Sequence, residues 1–160
     1  MSELSIRKAV ESDSALILRF ITELATYEKA EHEVLATESS IRTTIFGEDA
    51  TAYAIICEKA GEPVGFAVYF FNYSTWVGKY GLYLEDLYVT PDARGTGAGK
   101  LLLKHLAQIA VAKDCGRFEW NVLDWNQPAI DFYQSLGAKP LDEWVGYRLT
   151  GQELLDLAES

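Results

Sequence analysis

Residues 94–99 read Arg-Gly-Thr-Gly-Ala-Gly, a composition and spacing suited to holding an anion. An apolar and aromatic stretch at 80–89 precedes them, and a helical pattern follows, with Leu102, Leu106 and Ile109 on one stripe. Glycines let the backbone approach a ligand closely, and the unpaired N–H groups of a first helical turn point toward it. The order of strand, glycine-rich turn and helix therefore predicts a site for a phosphate or pyrophosphate.

The spacing of the glycines separates three kinds of phosphate loop. A Walker loop needs a glycine five residues before its Gly-Lys pair and a Ser or Thr just after the lysine. Around Gly99 and Lys100 this chain has Arg94 and Leu101 at those positions. A dinucleotide fingerprint needs Gly-x-Gly-x-x-Gly, and here the third glycine comes one residue early. The pattern that remains is Arg-Gly-x-Gly-x-Gly after a strand, and its alternative is a turn without a ligand.

This loop resembles the acyl-coenzyme A pyrophosphate loop of the GNAT acetyltransferases, and other segments match that family in the same order. They are 6–9, 23–28, 84–89, 124–126, 129–133 and 136–138. The resemblance runs from about residue 4 to about residue 150. Within the family, the chain resembles the diamine acetyltransferases that act on spermidine and spermine. It is more similar still to their thialysine-acetylating relatives, through 73–76 and 123–127.

The resemblance implies the GNAT (acyl-CoA N-acyltransferase) fold, an α/β architecture with a mixed central sheet flanked by helices. The pattern along the chain agrees, because antiparallel strands come first and βαβ-like alternation later. Strands are predicted at 4–8, 52–58, 64–71, 80–89, 118–123 and 145–150, with a hairpin turn at 60–63. Helices are predicted around 16–24, at 38–46, from the loop to about 113, from about 128 to 137, and near the C-terminus. No linker is evident, so 1–160 is expected to be a single domain.

Glu85 interrupts an apolar strand directly before the glycine loop. Acetyl transfer to an amine requires that an ammonium lose a proton, and Glu85, through an ordered water, could accept it and attract the cation. The alternative is an ion-paired or solvent-facing strand residue. Asp86 adjoins it, and neighbours on a regular strand point to opposite faces, so only one can face the cleft unless a bulge intervenes. In the diamine acetyltransferases the residue matching Glu85 binds substrate, which favours Glu85 over Asp86.

Tyr133 is the predicted general acid. It shares a helical stripe with Ile130 and Leu136, a pattern that is also typical of a core tyrosine. The functional interpretation rests on the family, whose proton donor to the leaving thiolate is the tyrosine in this context of Asn126, Phe132 and Tyr133. A buried tyrosine whose hydroxyl reaches a cleft can fill both roles.

The resemblance also implies how acetyl-CoA, the co-substrate, is held. Backbone groups of the strand before the loop would pair with the pantetheine arm as an extra strand does, and the loop would hold the pyrophosphate with help from two cations. The cofactor-binding residues are Leu87, Tyr88, Val89, Arg94, Gly95, Thr96, Gly97, Ala98, Gly99, Lys100, Asn126 and Ala129. No metal is expected. His32 and His105 have no ligand-like spacing, and His105 is interpreted as structural.

An acidic segment at 27–33 is predicted to bind the substrate or to be a solvated loop. The diamine acetyltransferases hold substrate with residues that match Tyr27 and Glu28, and Glu85 would be a third contact. Two departures weaken the match to a long polyamine. Ser74 and Val145 stand where, or near where, the spermidine enzymes carry acidic residues. A shorter substrate such as thialysine, lysine, ornithine or a small diamine becomes plausible.

The composition is that of a globular protein with a strong acidic excess. The 160 residues are 49% hydrophobic and 24% charged, with a net charge of −10. This charge disfavours nucleic acid, whose phosphates would be repelled, and suits a cationic partner. Cys57 and Cys115 are expected to be reduced thiols of a cytoplasmic protein. The longest apolar run, 64–71, is too short to span a membrane. The resemblance implies a homodimer.

These observations predict an N-acetyltransferase that moves the acetyl group of acetyl-CoA to a primary amine of a small cationic molecule by direct attack. One alternative is an enzyme of the same fold that acetylates protein N-termini or lysines. The other is a coenzyme A-binding sensor domain that keeps the loop and turns nothing over.

Overall fold

The structure is a computed structural model that describes residues 3–160. Two compact units make up the chain: the first ends at Asn121, and the second is Val122–Ser160. The expectation of a single domain over 1–160 therefore stays a prediction. None of the helices in the described range is both long and apolar enough to cross a membrane.

The first unit is a five-stranded mixed sheet with helices on both faces. Its elements are β1 Leu4–Lys8, α1 Ser14–Tyr27, α2 Glu38–Phe46, β2 Tyr53–Lys59, β3 Glu62–Ser74, β4 Lys79–Val89, α3 Ala98–Ala112 and β5 Phe118–Trp120. The strands follow the order β1-β2-β3-β4-β5, in which the first four are antiparallel and β5 is parallel to β4. Because a parallel neighbour needs a crossover, the glycine loop and α3 provide that connection. The predicted mixed sheet flanked by helices is confirmed.

Adjacent residues of β2 show how the two faces of the sheet are covered. Ile56 is fully buried and belongs to a core formed with Ile17 and Phe20 of α1 and Ile41 of α2. Its neighbour Ile55, 1% exposed, points the other way, toward α3. On that second face α3 buries its stripe of small and branched residues: Ala98, Leu102, Leu103, Leu106 and Ala110.

The hairpin turn between β2 and β3 is shorter than the sequence suggested. Ala60 and Gly61 take φ values of 52° and 84°, which suit a two-residue turn that matches strand twist. The residues after them, 62 and 63, already pair in β3, and a register shift beside Cys57 and Glu58 accommodates Pro63. The prediction of a turn over 60–63 was therefore correct in place and too long.

The second unit contains α4 Gln127–Ser135 and α5 Gly151–Glu159. Both helices lie where the sequence predicted them, with Pro128 in the first turn of α4. The predicted strand at 145–150 is wrong, since these residues are irregular and exposed. Alternation of Val145, Tyr147 and Leu149 satisfies the strand pattern, but within this unit no other strand is described that could supply hydrogen bonds. The strand predicted at 118–123 likewise ends at Trp120.

Arg7 joins two segments of the first unit through charge-assisted hydrogen bonds. Its guanidinium donates to both carboxylate oxygens of Asp13, at 2.8 and 3.0 Å, and its Nε donates to Glu58 Oε2 at 2.9 Å. Asp13, 8% exposed, also accepts from the Val10 N–H. The hydrogen bonds from Arg7 hold the pKa of the Asp13 carboxyl below its usual range, against the effect of its burial.

We expect Arg7→Ala to lower the free energy of unfolding by about 2 kcal/mol at pH 7, because it leaves a buried carboxylate without its cation. A depressed carboxyl pKa stabilises above the pKa of the unfolded chain and is lost as the pH falls through the folded-state value, so the loss should shrink in acid. Urea denaturation at pH 7 and pH 3 measures this. Arg42→Ala is the control, because its pairs with Glu11 and Glu38 are exposed and contribute about 0.5 kcal/mol or less. Equal losses in both variants would contradict the assignment.

Candidate active site

A bulge in β4 determines how its adjacent carboxylates are placed. Val68 of β3 pairs with Asp86 and the next residue, Tyr69, pairs with Leu84, so Glu85 is the extra residue. A bulge breaks the alternation of side chains and can redirect one of them. Asp86 lies half-buried opposite Val68, on the face that α1 and α2 cover, while Glu85 is exposed. From the sequence, Glu85 and Asp86 were expected to face one cleft only if a bulge interrupted the strand. The structure has such a bulge at Glu85.

Three carboxylates gather around this bulge: Glu28, Glu85 and Asp86. Burial raises the pKa of Asp86 to about 6, and the negative charges of Glu85 and Glu28 add to the effect. Burial also raises the pKa of Glu28, just beyond the end of α1. No hydrogen bond from residues 3–160 reaches the Asp86 carboxylate, and its oxygens are not sealed from solvent. Such a group favours a cationic ligand, which would offset the repulsion.

Arg94 connects the glycine loop with the end of α1. Its guanidinium lies over the rings of Tyr27 and Tyr88, 5.2 and 5.7 Å from their centroids, and its Nε donates to the Val89 carbonyl oxygen at 3.1 Å. The Tyr88 hydroxyl donates in turn to Glu23 Oε1 at 2.8 Å. Cation–π contact and these hydrogen bonds fix the loop against the helix. Tyr27, expected at the substrate, and Arg94, expected at the pyrophosphate, are therefore neighbours.

The glycine loop has the backbone that an anion site requires. Gly95 and Gly97 take φ values of 80° and 92°, in the left-handed region that only glycine adopts without strain. Gly97 is the N-cap of α3, so the free amides of a 15-residue helix begin at Ala98 and Gly99. The Thr96 hydroxyl donates to the Ala93 carbonyl and steadies the turn. Lys100 is exposed in the first helical turn. These residues fit a pyrophosphate.

The strand before the loop keeps one edge without a neighbour. β3 pairs with β4 as far as Val89, but β5 pairs with it only over Leu82, Tyr83 and Leu84. In the described chain, no strand lies beside Leu87, Tyr88 and Val89 on the β5 side. Backbone groups along an open strand edge can pair with an extended ligand, and this edge leads to the glycine loop.

The remaining predicted residues form a separate group in the second unit. Asn126 is buried and caps α4, where its side chain accepts from the Ala129 N–H at 3.4 Å. Tyr133 is half-buried about two helical turns after Asn126, with its ring 5.8 Å from that of Phe132. The cap explains the spacing, since Asn126 sets where the helix starts and hence which way Tyr133 faces. The role of Tyr133 as the general acid stays a prediction.

Sequence reasoning placed Asp86 second to Glu85, and it missed the contact between Tyr88 and Glu23. The structure gives Asp86 the more perturbed environment, because it is buried among like charges while Glu85 is exposed. The available signal was the position of two consecutive acidic residues within an apolar strand. That signal identified the place, but only pairing with β3 shows which residue lies in the bulge.

The chain matches the model of the acetyltransferase (GNAT) family over residues 18–138. It is 41% identical to the thialysine N-epsilon-acetyltransferase of Sus scrofa over 99% of both chains. It is 31% identical to an L-ornithine N5-acetyltransferase of Arabidopsis thaliana, covering 93% of this chain and 85% of that one. Among solved structures, an integron cassette protein from the mobile metagenome of V. cholerae is similar over 100% of both chains, with 29% identity and a TM-score of 0.83.

We expect Asp86→Asn to stabilise the protein at neutral pH. The pKa of the Asp86 carboxyl is raised to about 6 in the folded state, against about 3.9 in the unfolded chain. Its contribution to folding stability is therefore fully present below about pH 3.9. That stability is lost as the pH rises through the folded-state pKa, because Asp86 must then ionise at an unfavourable position. The amide removes this penalty, so the free energy of unfolding should rise by about 1 to 3 kcal/mol at pH 7.5 and change little at pH 4. Urea denaturation at both values checks it. The exposed Asp49→Asn serves as control, and a gain that is independent of pH would disprove the electrostatic cause.

Proposed function

Because the chain belongs to the acetyltransferase (GNAT) family, we propose that it transfers the acetyl group of acetyl-CoA to a primary amine of a small cationic substrate. The observation that carries the proposal is the group of Glu28, Glu85 and Asp86 at the bulge of β4, the strand that leads into the glycine loop. These carboxylates could attract the ammonium group of a substrate, and they lie on or near the strand that leads into the glycine loop, where the phosphates of the cofactor would bind. The family membership supplies the reaction, and the carboxylates supply the class of substrate.

The cofactor-binding residues divide by the part of acetyl-CoA that each would hold. Amides of Gly97, Ala98 and Gly99 and the side chains of Arg94 and Lys100 would hold the pyrophosphate, and the open edge of Leu87 to Val89 would pair with the pantetheine arm. Gly95 and Thr96 would shape the turn, and Asn126 and Ala129 are the two further residues proposed to bind the cofactor. Acetyl-CoA supplies an acetyl thioester, whose carbonyl carbon accepts the amine nitrogen and whose sulfur leaves as a thiolate.

The chain's own residues manage two protons. A primary ammonium with a pKa near 10.4 is neutral in only about one molecule in a thousand at pH 7, so a base must remove its proton. Glu85, exposed and beside the cleft, takes that proton through a water molecule, while Asp86 and Glu28 hold the ammonium. Tyr133 gives its hydroxyl proton to the leaving thiolate. Asp86, whose pKa is about 6, is a second group able to accept a proton at neutral pH.

The substrate that we favour is a short amino acid with a terminal amine, such as thialysine, lysine or ornithine. Relatives named for thialysine and ornithine match nearly the full chain. Ser74 and Val145 lack the acidic groups that a long polyamine would use at a distance from the reacting amine, and both lie exposed or half-exposed. Polyamines and small diamines remain the next class, because the carboxylates at the bulge would attract them too.

We further propose that the enzyme is a cytoplasmic homodimer and that residues 1–160 are a single domain. Cys57 and Cys115 are free thiols, as suits a reducing compartment. The dimer rests on the resemblance to the diamine acetyltransferases. The excess negative charge supports the exclusion of nucleic acid as a partner.

We expect the wild-type protein to release coenzyme A from acetyl-CoA with thialysine or ornithine, and more weakly with lysine, spermidine and putrescine. Tyr133→Phe should lower kcat by about a hundredfold or more, as the loss of a general acid does, while acetyl-CoA binding persists. A thiol-release assay with each of these amines, and with an N-terminal peptide, measures coenzyme A release by the wild type and the variant. Turnover only with an N-terminal peptide would favour a protein acetyltransferase. Bound acetyl-CoA without turnover of any amine would favour a sensor.

We expect Glu28→Gln to raise KM for thialysine by about tenfold, the effect of losing roughly 1.4 kcal/mol of charge-assisted contact. The value of kcat should change much less, because Glu28 holds the substrate and does not move a proton. Glu31→Gln is the matched control, since Glu31 belongs to the same acidic segment but is exposed. Steady-state kinetics on both variants separates the two effects, and equal KM values for the two variants would exclude Glu28 from the substrate site.

A further inference from the structure

A second cavity opens between the sheet and α3, away from the glycine loop. It has a volume of about 350 Å³ and is walled by the far ends of β1, β2 and β3 and by the second half of α3. Its deepest residues are Ile55 and Tyr69, which are 1% and 6% exposed. Lys113 follows the last turn of α3, about 20 Å from the helix N-terminus at a rise of 1.5 Å per residue. The cavity is therefore a separate feature from the proposed pyrophosphate site.

Aromatic rings form one wall of this cavity. Tyr53 and Tyr69 pair across β2 and β3 with ring centroids 5.5 Å apart, and Phe71 lies 5.8 and 6.0 Å from them. These contacts hold each ring in place against its neighbours. A wall of mutually packed aromatic rings suits a flat apolar ligand, which can add another edge-to-face or offset contact.

The polar side chains of the cavity carry positive charge or can acquire it. Lys8, Lys113 and His105 line it, and no carboxylate from residues 3–160 does. Among the described residues, neither lysine forms an ion pair. Asp114, beside Lys113 in sequence, is paired instead with Lys79 at 3.0 Å. Both lysines are exposed at the cavity, so their ammonium groups are available to pair with an anionic ligand.

The Tyr69 hydroxyl adds a donor inside the cavity. This hydroxyl makes no hydrogen bond to another described residue. Every fully buried side-chain oxygen or nitrogen of the described chain has a partner, so the Tyr69 hydroxyl is not fully buried. The hydroxyl must therefore open onto the cavity that Tyr69 lines. Burial raises the pKa of this phenol, so it stays protonated and able to donate at neutral pH.

We propose that this cavity binds a small aromatic carboxylate, whose ring packs on Tyr53 and Phe71 and whose polar groups meet Lys8, Lys113 and the Tyr69 hydroxyl. The volume lies at the lower end of the range for small-molecule sites, about 300 to 1,000 Å³, and so fits a single-ring compound. Such a ligand contacts the same helix whose first turn lies in the glycine loop, but it does not occupy the cofactor site. The site is independent of the proposed choice of amine.

Isothermal titration of the full chain with 4-hydroxyphenylacetate tests the proposal. We expect one molecule to bind per chain, with affinity unchanged by saturating coenzyme A. The neutral analogue 4-hydroxyphenylethanol keeps the ring and lacks the carboxylate, so its affinity should be lower by about tenfold or more. Absence of binding at millimolar concentration, displacement by coenzyme A, or equal affinity for the neutral analogue would overturn the proposal.

Variants locate the site without relying on one substitution. Lys8→Gln and Lys113→Gln should each weaken 4-hydroxyphenylacetate binding by about threefold or more, whereas Lys104→Gln, exposed on α3 but not lining the cavity, should have no effect. Tyr69→Phe should remove any advantage of 4-hydroxyphenylacetate over phenylacetate. Thermal melting of each variant separates lost binding from lost folding. Equal effects of Lys104 and Lys113 substitutions would place the ligand elsewhere.

Discussion

The pairing of β4 is the constraint on which the candidate site depends. β3 supports this strand along its whole length, but β5 pairs with it only as far as Leu84. Beyond that point the strand has a bulge at Glu85, an open edge from Leu87 to Val89, and then the glycine loop. Carboxylates, strand edge and anion-binding amides therefore follow one another along a single segment, because one neighbour ends where the bulge begins.

This arrangement has an energetic cost within the first unit. Asp86 is buried beside two other acidic side chains, and its raised pKa expresses the free energy needed to ionise it there. Nearby, the guanidinium of Arg94 lies over the rings of Tyr27 and Tyr88, and the Tyr88 hydroxyl donates to Glu23. A site that binds a cation is expected to keep such uncompensated negative charge, since the substrate itself supplies the compensation.

Charge is distributed unevenly over the two faces of the sheet. The face covered by α1 and α2 carries the acidic cluster at the bulge, and the face covered by α3 carries the cavity with two lysines and a histidine. Net charge alone indicates only that the chain suits cationic partners. The positions of Lys8, His105 and Lys113 are the basis for proposing an anionic ligand on one surface of the same acidic protein.

Features that depend only on neighbouring residues along the chain could be predicted from the sequence. Thr37 caps α2 through the Ser40 amide and Gly47 follows its end, so the helix over 38–46 was predictable from local signals. The glycine loop was predictable in the same way, because left-handed backbone at Gly95 and Gly97 requires glycine.

Features that depend on pairing between distant segments could be seen only in the folded chain. The register of β3 against β4 makes Glu85 the bulged residue and buries Asp86, which no spacing along the strand could reveal. Residues 145–150 have the alternating pattern of a strand but do not form one. A strand needs hydrogen bonds from another strand, and none is described in the second unit. His105 was interpreted as structural from its helix, and it lines a cavity only because Lys8 of β1, the start of β2 and Tyr69 and Phe71 of β3 lie beside it.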